Sequence, residues 1–120
     1  MKCLSIFVFL SLLSPAALSQ DASRGKQLFG ECAACHSEQK GVQNVGPDLH
    51  GVIGRKAAAL DDFRYSPAMK RSGITWTPET LDAYLADPQK FIPQNRMPYA
   101  GLPDAKARAD LIAYLRQAFK

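Results

Sequence analysis

The sequence predicts a small all-α domain, on three observations. No stretch alternates apolar and polar residues over a length that would indicate a strand. Several stretches instead repeat apolar residues at helical spacing, and Gly- and Pro-rich segments separate them. A chain of 120 residues also has room for one small domain and little room for a second core. We therefore expect about four to five short helices joined by loops.

The N-terminus has the pattern of an export signal. Lys2 gives a short positive start, residues 4–13 form an apolar run, and Ser19 ends a cleavage site of the small-x-small type. We therefore expect residues 1–19 to be a cleaved signal peptide and residues 20–120 to form a single domain in the bacterial periplasm. The apolar run is shorter than the roughly 20 residues that span a membrane, so we expect no stable membrane insertion. An uncleaved N-terminal anchor is the alternative.

The charge of the chain argues against nucleic acid as a partner. The sequence contains 15 Lys+Arg and 11 Asp+Glu, and only Lys2 belongs to the expected signal, so residues 20–120 have a formal charge of +3 (14 minus 11). This mild excess lacks the clustered basic stripe of a nucleic-acid-binding protein. It favours transient docking to acidic protein surfaces instead.

The first helix is predicted just after the signal. Asp21 and Ser23 can cap it, and the residues that then recur at helical spacing are Gly25, Leu28, Phe29 and Cys32. We expect this helix to run into a cysteine-containing motif at residues 32–36. Beyond the motif, residues 39–55 have loop composition, with four glycines and a proline.

Two short helices are predicted in the middle of the chain. One lies near residues 66–72 and is stopped by Gly73. The other begins at Thr77, a cap residue that is followed by proline at the first helical position. We expect this second helix to stop before Pro88, since proline cannot continue it.

The C-terminal part combines a loop with a longer helix. Residues 91–103 contain three prolines and a glycine, so we expect an ordered loop there. The last helix is predicted over about residues 104–118, because apolar residues recur on one stripe: Leu111, Tyr114, Leu115 and Ala118. Helices as short as these can bury only a small apolar core, and domains of this size usually need additional stabilisation.

The most informative pattern is Cys-x-x-Cys-His at residues 32–36, which is typical of covalent c-type haem attachment. Cys32 and Cys35 can face the same side of a helical turn, so each can form a thioether to a haem vinyl group. His36 follows directly and can supply one axial ligand to the iron. The motif therefore predicts one covalently bound haem c.

Two other uses of paired cysteines fit the sequence less well. A thioredoxin-like redox pair would need a βαβ pattern around the motif, and the sequence does not provide one. A structural zinc site would need four ligands. The only other cysteine is Cys3, in the expected signal, and the only other histidine is His50.

The second axial ligand of the iron would decide between an electron carrier and an enzyme. The candidates are Met69, Met97 and His50. Met69 falls on a predicted helix, where most methionines fill the core. Met97 lies on the proline-rich loop and is more informative there, but the residues alone leave the choice open.

Several sequence blocks occur in a fixed order between residues 25 and 118. They are Gly-Pro-Asp-Leu-His-Gly-Val-Ile-Gly-Arg-Lys at 46–56, Gly-Ile-Thr-Trp at 73–76, Ile-Pro at 92–93, Met97, and Asp-Leu-Ile-Ala-Tyr-Leu at 110–115. Together they resemble class I cytochromes c, the family of soluble bacterial and mitochondrial electron carriers, at nearly that family's spacing. The resemblance implies the cytochrome c fold, in which short helices and loops wrap around one covalently bound haem.

The resemblance also implies how the iron is held. Met97 would be the second axial ligand, together with His36. The carbonyl oxygen of Pro47 would accept the proton on His36 Nδ1 and so fix the imidazole. Tyr84 would place its hydroxyl near the Met97 sulfur.

Four further residues would contact the haem propionates, according to the same resemblance. Arg55, Tyr65 and Trp76 would donate hydrogen bonds to these carboxylates or neutralise them, because a carboxylate removed from water needs paired donors. Asn95 stands where the family usually has a threonine beside the inner propionate, and its amide can still donate there.

The expected chemistry follows from the two axial ligands. With His36 and Met97 both bound, the iron has no open position for a substrate. The leading hypothesis is a periplasmic one-electron carrier, not an enzyme, that shuttles electrons between redox complexes. It would be a monomer that docks through an exposed haem edge, ringed by Lys40, Lys90 and Arg96. The alternatives are a haem subunit of a larger dehydrogenase or oxidase complex, and a haem peroxidase or gas-binding protein.

Overall fold

The computed structural model describes residues 19–120, so the expected signal peptide, apart from its last residue, lies outside the described residues. Six helices follow one another in this range: α1 (Ala22–Leu28), α2 (Gly30–Ala33), α3 (Pro67–Arg71), α4 (Pro78–Ala86), α5 (Pro88–Phe91) and α6 (Ala105–Ala118). The only extended pairing in the described part is an isolated antiparallel bridge between Lys56 and Thr75. The predicted all-α class is confirmed.

The first two helices form one nearly continuous element. The side chain of Asp21 accepts hydrogen bonds from the backbone N–H groups of Ser23 and Arg24, and so caps α1. Helical hydrogen bonds then cross the boundary at Phe29, whose N–H donates to Gly25 O at 2.9 Å and whose carbonyl accepts from Ala33 N at 2.9 Å. The prediction that the first helix runs into the cysteine motif is therefore confirmed.

Helix α1 crosses α6 at a point where only glycine fits. A Cβ atom on Gly25 would lie 2.0 Å from the carbonyl oxygen of Asp110 and 2.8 Å from Tyr114 Cβ. One turn further on, the Phe29 ring packs against Tyr114 and Phe119, whose ring centroids lie 5.5 and 5.0 Å from its own. The two ends of the domain are thus joined by close backbone approach and aromatic packing.

The middle helices both begin at capping side chains, of which Thr77 was predicted as a cap and Ser66 was not. Ser66 Oγ accepts the N–H of Met69 at the start of α3. Thr77 and Thr80 form a reciprocal capping box at the start of α4, in which each side chain accepts the other residue's N–H. Gly73 follows α3 with φ of +65°, a left-handed conformation that suits glycine.

Helix α5 is the element that the sequence did not predict. Pro88 was expected only to end α4, but it also occupies the first position of a new helical turn. Asp87 caps this turn by accepting the N–H of Lys90 at 3.1 Å. Phe91, the first residue of the expected loop, is therefore helical, and the loop itself begins after it.

The apolar core lies where α4 packs on α6. The helices α4 and α6 are in contact, and one buried apolar cluster contains Leu81 and Leu85 of α4 and Leu111 and Leu115 of α6. These leucines also form one wall of the cavity described next, so the helices support the site directly. No helix in residues 19–120 is long and apolar enough to cross a bilayer.

Candidate functional site

One apolar cavity of about 350 Å³ brings together groups from distant parts of the chain. Cys32, Cys35 and His36 reach it from the end of α2, and Met97 reaches it from the loop after α5. The motif at residues 32–36 and the methionine some sixty residues later therefore share one site, although nothing local in the chain connects them.

The imidazole of His36 is oriented by the loop that follows the motif. Its Nδ1 lies 2.7 Å from the carbonyl oxygen of Pro47. A carbonyl oxygen can only accept, so Nδ1 carries the proton and Nε2 keeps its lone pair for a metal. A Cβ atom on Gly46 would lie 2.5 Å from the imidazole, so glycine is required beside the ring. Burial lowers the pKa of His36, which favours the neutral form that a metal ligand needs.

The two cysteines are half-buried free thiols. Burial, followed by the charge of Glu31, raises the pKa of the Cys32 thiol. A thioredoxin-like redox pair needs the opposite, a lowered pKa that populates the thiolate. The surroundings of Cys32 therefore argue against a thiol–disulfide exchange function.

The sulfur of Met97 is contacted by a buried tyrosine. The hydroxyl of Tyr84 lies 3.8 Å from Met97 Sδ and 3.5 Å from Asn95 Oδ1, so its single proton can be donated to either atom. Burial raises the pKa of Tyr84 to about 12, so the hydroxyl keeps its proton at neutral pH. Trp76 packs on Tyr84 with ring centroids 4.9 Å apart, and both rings line the cavity.

These groups fit a covalently attached haem. The donor set combines two thiols, an imidazole nitrogen and a thioether sulfur, which are the groups that c-type haem attachment and iron ligation use. The remaining lining is mostly apolar, as a porphyrin requires, and includes Phe29, Leu49, Val52, Leu81, Leu85, Leu111 and Leu115.

Comparison with known proteins shows the family of this chain. The family model for cytochrome c matches residues 22–119. The chain belongs to the cytochrome c family. It is 45% identical over 113 residues to a cytochrome c2 of Blastochloris viridis, an alignment that covers 93% of this chain and 88% of that protein.

Two further relatives show how widely the likeness extends. The chain is 47% identical over 96 residues to a cytochrome c2 of Rhodopila globiformis, covering 79% of this chain and 91% of the relative. It is 46% identical over 101 residues to a cytochrome c type-1 of Ascaris suum, covering 83% and 90%. Family membership confirms the resemblance to class I cytochromes c, the single covalent haem c, and the role of a small electron carrier rather than an enzyme.

Three of the residues that are expected to contact the haem propionates of this cytochrome line the cavity: Arg55, Tyr65 and Trp76. Arg55, however, is largely engaged by the protein, because its guanidinium donates to Asp48 Oδ1 at 3.4 Å, to Asp48 O at 2.7 Å and to His50 O at 3.0 Å. Its positive charge is paired with the buried Asp48 carboxylate, a partner that sequence reasoning missed.

Asn95 is not among the residues that line the cavity, and its expected propionate contact stays a prediction. Its side-chain nitrogen donates to the carbonyl oxygens of Pro88 and Ile92, at 2.8 and 2.9 Å, which uses both amide hydrogens. Its Oδ1 accepts the N–H of Met97 at 2.9 Å. The side chain therefore binds the backbone of the Met97 loop and also contacts Tyr84, whose hydroxyl lies 3.5 Å from Asn95 Oδ1.

Of the two other candidates for the second axial ligand, only Met69 lies at the cavity. Met69 lines it and packs against the core, whereas His50 is not among the lining residues and contacts Arg55 through its carbonyl oxygen. Of the expected docking cations Lys40, Lys90 and Arg96, only Arg96 lines the cavity. Two exposed cations that the sequence did not single out for docking, Lys56 and Arg64, also line the cavity.

Proposed function

We propose that Cys32 and Cys35 hold the haem through thioethers and that His36 and Met97 are the two axial ligands of its iron. The observation that carries this proposal is that all four side chains line one cavity. When bound, the haem supplies the chemistry, the gain and loss of one electron. The protein supplies the ligands and the environment that sets how readily that electron is held.

The two proposed ligands are each fixed by a second contact. The Pro47 carbonyl orients His36 through Nδ1, which increases the donor strength of Nε2 toward iron. The Tyr84 hydroxyl contacts Met97 Sδ and withdraws electron density from the sulfur. A soft thioether in an apolar pocket favours ferrous iron, since the ferric state carries one more positive charge into surroundings that are poor in water. We therefore expect a high reduction potential.

The electron would enter and leave where cations border the cavity. Lys56, Arg64 and Arg96 are exposed lining residues, and none of them forms an ion pair with another residue in the described range 19–120. Unpaired cations attract an acidic partner surface and release it readily at physiological ionic strength. We propose that the protein is a monomer that docks transiently on such partners.

The proposed location is the periplasm, supported by the signal pattern of residues 1–19. N-terminal sequencing of the exported, haem-stained protein should begin at Gln20. Protein that fractionates only with membranes and still carries Met1 would instead favour a retained anchor and a subunit of a larger complex.

The proposed axial ligation can be tested with a matched pair of variants, because Met69 and Met97 both line the cavity and each can be replaced by leucine. Met97→Leu should abolish the weak far-red charge-transfer band of ferric methionine-ligated haem and open the iron to carbon monoxide in the ferrous state. Met69→Leu should keep the band and exclude carbon monoxide. If Met69→Leu loses the band and Met97→Leu keeps it, the proposed assignment is wrong.

The proposed exchange edge can be tested with a small redox probe. Arg96→Glu should slow the reduction of the ferric protein by anionic hexacyanoferrate(II) at low salt, because the variant reverses one charge at the edge. Lys120→Glu makes the same change in net charge at the last residue of the chain and should have a smaller effect. Equal slowing in both variants would mean that only the net charge matters.

A further inference from the structure

The turn between α5 and Met97 is organised around one buried amide. Asn95 is 6% exposed. Its Nδ2 donates to Pro88 O at the start of α5 and to Ile92 O at its end, and its Oδ1 accepts the N–H of Met97. A single side chain thus joins both ends of α5 to the residue that carries the sulfur.

Two further hydrogen bonds converge on the backbone of the same residue. Asn95 N donates to Ile92 O at 3.2 Å, and Gln89 Nε2 donates to Asn95 O at 3.0 Å. Together with the three side-chain bonds, they hold the turn against α5. We refer to Gln89 and Asn95, with the five hydrogen bonds they make here, as the Asn95 clamp.

The clamp holds a strained turn. Gln94 has φ of +67°, a left-handed conformation that is unfavourable for a residue other than glycine. Such a conformation persists only where surrounding contacts over-determine it. Loss of the clamp would let Gln94 relax to a favourable conformation, and the backbone of Met97 would move with it.

We propose that Asn95 is a positioning residue for Met97, which keeps the methionine sulfur at the haem site against competing ligands. This rests on the proposed function, in which Met97 is an axial ligand. A turn that swings away from α5 would carry the sulfur out of the site, and the clamp opposes that movement. Asn95 thereby acts on the iron through the backbone of Met97.

The test is the affinity of the ferric holoprotein for added imidazole, which must displace the methionine sulfur. Asn95→Ala removes three hydrogen bonds of the clamp and should tighten imidazole binding by about tenfold or more. It should also weaken the far-red methionine–iron band. Asp104→Ala removes the N-cap of α6 and serves as a matched control for general loss of stability. It should change imidazole binding by less than about twofold.

A milder variant keeps the test valid if Asn95→Ala does not load haem. Gln89 is exposed and contributes one hydrogen bond, so Gln89→Ala should fold and should tighten imidazole binding about two- to fivefold. Equal imidazole affinity in Gln89→Ala, Asp104→Ala and the wild type would contradict the proposed role of the Asn95 clamp. A wild-type protein without the methionine–iron band would instead overturn the axial ligation itself, so the two failures are distinguishable.

Discussion

His36 and Pro47 are joined by a 2.7 Å hydrogen bond from Nδ1 to a backbone carbonyl, across a loop of ten residues. The contact fixes the tautomer of the imidazole without a second charged group. Other hydrogen bonds hold the same loop to the motif, since Gly46 N donates to Cys35 O at 2.8 Å and Leu49 N donates to Ser37 O at 2.9 Å. The orientation of the ligand is therefore a property of the loop backbone.

Gly46→Ala should disturb this arrangement directly. The new Cβ would lie 2.5 Å from the His36 ring, so the ring or the loop has to move and the bond to Pro47 lengthens. We expect a lower yield of haem-loaded protein and a fraction of high-spin iron in its absorption spectrum. Gly30→Ala is the control, because a Cβ there meets no atom within 4 Å. It should load haem normally, and high-spin iron in both variants would contradict the argument.

Much of the fold could be predicted because the helix boundaries are local. Asp21, Ser66, Thr77 and Asp104 each accept a backbone N–H at the helix start that the sequence indicates. The missed element α5 carries the same kind of signal, Asp87 followed by proline, but it directly follows α4. We interpreted Pro88 as the end of α4, and the pattern alone does not show that a proline that ends one helix can also begin the next.

The contacts around the site could be predicted only in part. The spacing of the cysteine motif is local, and it places Cys32, Cys35 and His36 together. The roles of Asn95 and Arg55 depend instead on which acceptors the folded loops bring near their donors. Residue type indicates only that a side chain can donate, and several acceptors compete for each donor. In the structure, these groups donate to backbone carbonyl oxygens and, for Arg55, also to the buried carboxylate of Asp48.

Tyr84→Phe should lower the reduction potential while keeping the fold. The variant removes the hydroxyl that donates to Met97 Sδ, so the sulfur becomes a better donor to ferric iron. A hydrogen bond of about 1 kcal/mol corresponds to a fall on the order of 40 mV for one electron. Because the pKa of Tyr84 is about 12, the difference from the wild type should stay constant from pH 6 to pH 9 (roughly three units below that value). A spectroelectrochemical titration measures both, and an unchanged or higher potential would contradict the proposed contact.

The Cys32→Ala, Cys35→Ala double variant should fold poorly, because haem then has no covalent attachment. An unfilled cavity of this size costs up to about 8 kcal/mol, at about 24 cal/mol per Å³ for a volume of about 350 Å³. That upper limit is comparable to the whole stability of a small domain, about 5–15 kcal/mol. Circular dichroism of the haem-free variant should show reduced helix and no cooperative melting. Native-like helix with a sharp transition would show that the chain folds without its cofactor.

Asp110 should give the protein a specific sensitivity to acid. Its side chain is fully buried, and it accepts hydrogen bonds from Lys106 Nζ, from the backbone N–H of Asp21 and from Arg24. The hydrogen bond from Lys106, followed by that from Asp21 and by the charges of Lys106 and Arg24, holds the pKa of the Asp110 carboxyl below its usual range. The carboxylate thereby joins the start of α1 to α6, next to the crossing at Gly25.

The sign of the pH effect follows from this lowered pKa. The unfolded chain binds the Asp110 proton more readily than the folded protein, so the stabilisation is complete above the usual aspartate pKa of about 4. It is lost as the pH falls from there through the lower pKa of the folded state. Thermal unfolding of the holoprotein should therefore show that Asp110→Asn is less stable than the wild type at pH 7, with a difference that narrows below about pH 4. Asp61→Asn, which changes an exposed carboxylate without an ion pair in the described part, should follow the wild-type profile. A constant difference between Asp110→Asn and the wild type down to pH 2 would contradict the assignment, because the lost contribution would then not depend on a proton.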